Sequence, residues 1–181
     1  MFVPPAYLPT ESQELDEYNL HQNSEHDAGY CQFLNKIADP LLQHITPGQY
    51  GLDFGCGPAP VLATILEKAG MHMRVYDPLF YPDSEVLTGQ YDFITCTEAI
   101  EHFHHPADEL AVLNKLLAPG GWLAIMTKRV ISRTRFASWH YKNDLTHVCF
   151  FSEASFEYIG RKFGFSVSFP GTDTVLMQKN T

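Results

Sequence analysis

The sequence predicts an α/β fold: a mostly parallel sheet with helices on both faces and an antiparallel hairpin at the C-terminal end. Three observations predict it. Short apolar runs with the period of strands alternate with longer runs with the period of helices, the pattern of a parallel sheet. A glycine turn, Leu52-Asp53-Phe54-Gly55-Cys56-Gly57, stands where the first strand meets its helix. Two final strands are separated only by Pro170-Gly171-Thr172-Asp173, which reads as a hairpin.

The elements follow in order. Residues 1 to about 28 are polar and carry no apolar period, so they read as irregular, either a tail or a flap over a site. Tyr30, Phe33, Leu34, Ile37, Leu41 and Leu42 recur at helical spacing after Gly29, and Pro40 should end or kink that helix. Thr46-Pro47-Gly48 is a turn. Tyr50–Phe54 is the opening strand. A helix follows from about Pro60, with Val61, Leu62, Ile65 and Leu66 on its apolar face, and Gly70 closes it. Met71–Tyr76 is the second strand and Tyr91–Cys96 the third. Pro106–Leu117 turns Leu110, Leu113, Leu116 and Leu117 inward. Pro119-Gly120-Gly121 is a sharp turn into the strand Trp122–Thr127. Residues 128–147 have no clean period. Ser152 caps a helix that runs to about Phe163 and stops at Gly164. Phe165–Phe169 and Thr174–Gln178 make the hairpin.

Composition bounds the function. With 181 residues the chain suits one domain, residues 1–181, of which 1–47 form an N-terminal lid or helical segment. A net charge of −9 argues against non-specific binding to nucleic acid or to anionic lipid. Five of the twelve basic residues nevertheless fall between Lys128 and Lys142, as a solvated loop or a site for an anionic group. Cys31, Cys56, Cys96 and Cys149 form no CxxC pair, so neither a disulfide framework nor a cysteine zinc site is indicated, and a reducing cytoplasm is expected. No basic leader and no apolar run long enough for a bilayer is present.

The glycine turn carries the chemistry. Glycines one residue apart let the backbone pass close to a ligand, and such crevices bind nucleotide-like cofactors. Asp77 lies twenty residues beyond Gly57, at the tip of the next strand, within reach of a ribose diol; with Pro78 it could equally start a turn. A dinucleotide fingerprint needs a third glycine where Pro60 stands.

These residues, with others further on, resemble the S-adenosylmethionine-dependent methyltransferases of the Rossmann-like class. Residues 52–57 look like the family's first motif, Val75-Tyr76-Asp77 like its second strand and ribose acid, and residues 91–102 like its fourth motif. Leu116–Gly121 resembles the turn before its fifth strand, and His147–Ser152 with Phe163–Phe165 the approach to its last hairpin. The resemblance covers about residues 48–180. It implies S-adenosylmethionine as cofactor, with Asp53, Gly55, Cys56 and Gly57 along its amino-acid and ribose portions, Asp77 and Pro78 at the ribose, Thr97 and Glu98 beside the sulfonium, and Tyr18 and His21 folding over as a lid. Asp77 and Tyr91 are only fourteen positions apart, too close for the family's usual helix and strand, so the sheet is expected to lack its outermost strand. Phe80 or Tyr81 would then cover the adenine, or pack on the sheet edge.

Methyl transfer needs a positioned nucleophile and often a base. His102, His140 and His147 are the candidate bases. Glu98, Glu101 and His102 share one face if they form a helical turn and could hold a divalent metal. Their spacing is similar to the Glu-x-x-Glu-His of ubiquinone-pathway O-methyltransferases, where it is linked to a metal. Acids at a helix start explain the same residues without one. The aromatic and basic residues of 128–147 suggest a small-molecule substrate with an anionic or aromatic part. The alternative is a non-catalytic cofactor-binding protein, or the cofactor half of a complex.

Overall fold

A computed structural model describes residues 1–18, 24 and 26–181. Its single six-stranded sheet has the order β2-β1-β3-β4-β6-β5, built from β1 (Tyr50–Phe54), β2 (His72–Tyr76), β3 (Tyr91–Thr97), β4 (Leu117–Met126), β5 (Phe165–Ser168) and β6 (Thr174–Lys179). The first four strands pair in parallel and β6 runs antiparallel to both β4 and β5, as the hairpin requires. Since β1 pairs with β2 on one side and β3 on the other, the winding reverses between β1 and β3. Such a switch point opens a crevice at the carboxyl ends of the strands. Strand β2 is an edge; among the described residues no strand lies outside it, and a short 3₁₀ turn at Ser84–Thr88 fills the span before β3.

Period-two alternation divides the interior into two cores, one on each face of the sheet. Helices α2 (Ala28–Leu42) and α3 (Val61–Lys68) bury Leu34, Ile37, Leu41, Leu62 and Leu66 against Phe93, Ala124, Met126 and Leu176. Helices α4 (Pro106–Leu116) and α6 (Glu153–Phe163) bury Leu110, Leu113, Phe156 and Ile159 against the intervening residues Ile94, Leu123, Ile125 and Val175. No described helix is long and apolar enough to cross a membrane.

Four expectations are corrected in detail. Residues 11–18 are not irregular but form helix α1 (Glu11–Tyr18); none of its residues is buried, so it has no apolar stripe to read. Helix α2 runs two residues past Pro40. The proline ring has no N–H for the Lys36 carbonyl four residues earlier, and the Thr174 hydroxyl donates to that carbonyl instead, at 3.1 Å. Thr174→Val is therefore expected to cost about 1–2 kcal/mol in chemical denaturation, through the carbonyl left without a partner. Strand β4 begins at Leu117 rather than Trp122: Pro119-Gly120-Gly121 is a bulge within it, the register moving from Tyr91↔Leu117 to Phe93↔Trp122. Residues 128–147 hold one short helix, α5 (Arg133–Ala137), capped by the Ser132 hydroxyl, and a 3₁₀ turn at His140–Asn143.

Candidate active site

At the switch point the end of β1 enters the glycine turn. Gly55 and Gly57 have φ of +75° and +64°, which only glycine adopts without strain. A Cβ on Gly55 would lie 2.5 Å from that of Ala99, whereas one on Gly57 would enter open space. The N–H groups of Gly55 and Cys56 donate to the Tyr76 carbonyl at 2.8 and 3.2 Å, which ties the turn to the tip of β2. Beneath it Asp53 is buried and accepts a hydrogen bond from the Thr95 hydroxyl at 2.7 Å. Burial pushes its carboxyl up to about 6, against the pull of the Thr95 and Ala63 hydrogen bonds. Burial likewise raises the half-buried Cys56 thiol far above its ordinary value, so Cys56 is no thiolate nucleophile.

Asp77 braces the other side. Its Oδ2 accepts from the Gly57 N–H at 2.9 Å, and its Oδ1 from the N–H groups of Leu79 and Phe80 at 2.9 and 3.1 Å. The turn role foreseen for it is thus present, and the same carboxylate sits directly against the glycine turn. Pro78 follows it, exposed at the rim. Tyr81 exchanges backbone hydrogen bonds with Asp77 at 3.0 and 3.1 Å. Phe80 meets the Tyr18 ring edge-on, centroids 6.4 Å apart.

Across the crevice β3 ends at Thr97, whose hydroxyl is buried with no hydrogen-bond partner among the described residues. Glu98 follows with φ +46°, the one described non-glycine residue with positive φ, a strained conformation of the sort that collects at functional sites. Burial pushes its carboxyl up to about 8, helped by the charge of Glu101 and opposed by Lys128. Tyr30 of α2 belongs to this region: burial, with the charges of Asp53 and Glu98, pushes its phenol up to about 12. No motif pointed to Tyr30, whose spacing reads only as core.

The 3₁₀ turn Ile100–His102 then drives Glu101 inward, where it is 1% exposed. One carboxylate oxygen accepts a hydrogen bond from the Tyr141 hydroxyl; the other, Oε2, is buried without a partner among the described residues. Burial holds the Glu101 carboxyl above its ordinary value. The Glu101 carbonyl accepts from the N–H groups of Val148 and Cys149 at 2.8 and 3.0 Å, which draws the end of the 128–149 segment over the site. His147 arrives with it. Nδ1 of His102 lies 2.9 Å from the Thr146 carbonyl and Nδ1 of His147 lies 2.6 Å from the Tyr141 carbonyl. Carbonyls only accept, so each Nδ1 carries a proton at that contact. Burial, with His102 close by, lowers the pKa of His147 and keeps it neutral. The rings are 4.9 Å apart by centroid. One ligand atom from each of Glu101, His102 and His147 lies within 4.8 Å of the others. Two imidazoles and a carboxylate with an unpartnered oxygen fit a divalent cation.

The predicted bases His102 and His147 are therefore brought together, while His140 is exposed and belongs to no such group. Of the predicted metal trio, Glu101 and His102 join this cluster; Glu98 does not. Tyr18 lies edge-on to His102, centroids 5.4 Å apart, and burial together with the charges of Glu14, Asp77, Asp144 and Glu101 drives its phenol well up. It thus stands between the two sides of the crevice. Glu14 of the same helix meets His104 at 2.9 Å. His21 lies outside the described residues. Arg129 is spoken for elsewhere: it donates to the carbonyls of Thr174 and Gly171, both at 2.8 Å, and braces the hairpin. Lys128 is the basic residue over the site, 5.1 Å from the Tyr141 ring centroid.

A glycine cradle at the switch point, an acid at the neighbouring strand tip and titratable groups beyond β3 define a class I, Rossmann-like methyltransferase of the S-adenosylmethionine-dependent kind. The chain belongs to the methyltransferase domain family, which matches residues 22–168. Among curated proteins it resembles the ubiquinone biosynthesis O-methyltransferase of Erwinia tasmaniensis, 31% identical over 71 residues, or 39% of this chain and 29% of that one. The corresponding protein of Burkholderia multivorans is 46% identical over 39 residues, 22% of this chain and 17% of that one. The matched segments thus span under a third of those relatives. Among solved structures, a methyltransferase of Thermotoga maritima described as a possible histamine N-methyltransferase has TM-score 0.55 at 17% identity, over 94% of this chain and 96% of that one. Magnesium protoporphyrin IX methyltransferase from Synechocystis with bound SAH has TM-score 0.52 at 13% identity, over 92% and 94%.

Proposed function

We propose that residues 1–181 act as one domain that transfers the methyl group of S-adenosylmethionine to an oxygen or nitrogen of a small molecule, with residues 1–47 as its lid and helical flank. The observation that carries the reading is the pair of imidazoles, His102 and His147, each with Nδ1 anchored on a backbone carbonyl, the His147 pKa being lowered by burial. Asp53, Gly55, Cys56 and Gly57 hold the amino-acid and ribose portions of the cofactor, with Tyr30 beside them. Asp77 and Pro78 hold the ribose, Thr97 and Glu98 border the sulfonium, and Tyr18 covers the crevice. The acceptor's lone pair attacks the methyl carbon, the carbon–sulfur bond breaks with its electrons going to sulfur, and the acceptor proton passes to a histidine Nε2. Water exclusion by Tyr18 and Phe80 strengthens these interactions. A divalent cation, where bound, would polarise the acceptor. Tyr18, Tyr141 and Lys128 around the cluster suit an aromatic or anionic acceptor.

Calorimetry with S-adenosylmethionine, followed by transfer of a labelled methyl to a panel of phenols, carboxylates and amines, tests this. Binding without turnover on any acceptor would leave a cofactor-binding protein or the cofactor half of a complex. Asp77→Ala is expected to weaken cofactor binding by roughly 1–3 kcal/mol and also to lower the unfolding midpoint, since three backbone N–H groups lose their acceptor. A lowered midpoint with unchanged affinity would leave Asp77 its turn role alone.

A further inference from the structure

We propose that the outer edge of β2 docks an extended segment of another polypeptide, one that carries an acidic and a basic residue side by side. Such docking is independent of the methyl transfer proposed above. Successive residues of a strand send their backbone groups to opposite sides. The His72 N–H donates to the Gln49 carbonyl at 2.9 Å, and the Tyr76 carbonyl accepts from Gly55 and Cys56, so the even-numbered residues of β2 face β1. Met73 and Val75 therefore turn N–H and C=O outwards. Asp77, next in that series, exchanges both of its backbone hydrogen bonds with Tyr81, which fixes the direction independently. At Met73 and Val75 no described strand answers, because the pairing with the returning chain ends at Tyr81.

Unpaired strand edges of this kind accept a further strand, whose main-chain hydrogen bonds give affinity and whose alternate side chains give specificity. Room for one is present. A groove of about 560 Å³ takes in Met73, Arg74 and Val75 and is bounded by Glu67 of α3 and by Pro82 and Asp83 of the loop after β2.

Charge selects the occupant. Met73 packs into the core beneath α2 and α3, whereas Tyr76 belongs to the core on the opposite face. Side chains alternate between faces, so Arg74 lies on the Tyr76 face, and Glu67 on the Met73 face. Both are exposed. Arg74 makes no ion pair among the described residues. Successive residues of an added strand would meet the two in turn, an acid over Arg74 and a base toward Glu67. A second copy of this chain fits badly. The twofold antiparallel register that pairs all of β2 sets Arg74 directly opposite its counterpart, with Cα atoms about 4.5 Å apart, and like charges so placed repel. Each copy also carries a net charge of −9.

A display library of short random peptides selected on the immobilised full chain, followed by fluorescence anisotropy with a labelled synthetic copy of the enriched sequence, tests this. The enriched peptides should be rich in β-branched residues and hold an acid next to a base. N-methyl groups placed along the synthetic peptide should weaken binding at every second position, by roughly 10-fold at the central one, and leave the positions between them unaffected. Amide hydrogen exchange at Met73 and Val75 should slow when the peptide is added. Arg74→Glu should reverse the charge preferred at the facing peptide position. Met73→Pro, which removes an outward N–H but no bond to β1, should lose the peptide, with circular dichroism confirming the fold. The N-methyl pattern needs no variant and holds the test should Met73→Pro not fold. No enriched peptide, an N-methyl effect without period two, or unchanged exchange at Met73 and Val75 would each overturn the docking site. A dimer of the free chain that the peptide dissociates would overturn the occupant in favour of a second copy.

Discussion

Gly57→Leu is expected to abolish S-adenosylmethionine binding while the domain stays folded. A Cβ at this position meets nothing within 4 Å, so the fold does not oppose it. The left-handed φ of +64° costs a non-glycine residue about 1–2 kcal/mol, within what a domain of this size tolerates. The leucine side chain, however, extends into the open space of the crevice. Losing more than about 100-fold in affinity, roughly 3 kcal/mol, is expected if, as proposed, the backbone there lies against the cofactor. Calorimetry reads the affinity and circular dichroism the fold. Retained binding would mean that the cofactor lies elsewhere. Gly55 is the poorer test: its Cβ would strike Ala99, and a lost cofactor would be confounded with a lost fold.

His147→Asn should lower kcat by roughly 10²–10⁴-fold with little change in the affinity for S-adenosylmethionine. Asparagine keeps an N–H near the position of Nδ1, so the hydrogen bond to the Tyr141 carbonyl has a replacement and the segment 141–149 stays in place. What disappears is the Nε2 lone pair. Since burial keeps His147 neutral above its lowered pKa, that lone pair is available at neutral pH. A single-turnover measurement with saturating cofactor checks the step once an acceptor is known. An unchanged rate would move the base to His102 or remove proton transfer from the rate-limiting step.

The two assignments differ in how they could be read. Leu52–Gly57 with Asp77 twenty residues on is a local pattern, because a tight turn between strand and helix dictates its own residues. The parallel sheet, the closing hairpin and the absence of a strand outside β2 among the described residues follow from periodicity and from the short span 78–90. Helix α1 was hidden because its stability comes from contacts such as Glu14 with His104 and Tyr18 with His102, not from an apolar stripe. Tyr30 was hidden because a tyrosine at helical spacing reads as core until the neighbouring β1 and β3 place Asp53 and Glu98 beside it.

The histidines show the limit most clearly. Sequence spacing offered Glu98, Glu101 and His102 as one helical face, a reading that assumes a regular α-helix. The chain instead makes a left-handed step at Glu98 followed by a 3₁₀ turn, and Glu98 stays out of the group that Glu101 and His102 form with His147. Backbone bonds from Val148 and Cys149 to the Glu101 carbonyl then bring in His147 from 46 positions away. Local residue pattern was enough for the class of fold, the glycine turn at the switch point and the roster of candidate histidines, since each depends on neighbours within a strand or turn. Which donors meet, which one stays in solvent and which tyrosine aims them depended on long-range hydrogen bonds between segments without any period, and only the folded chain decides those.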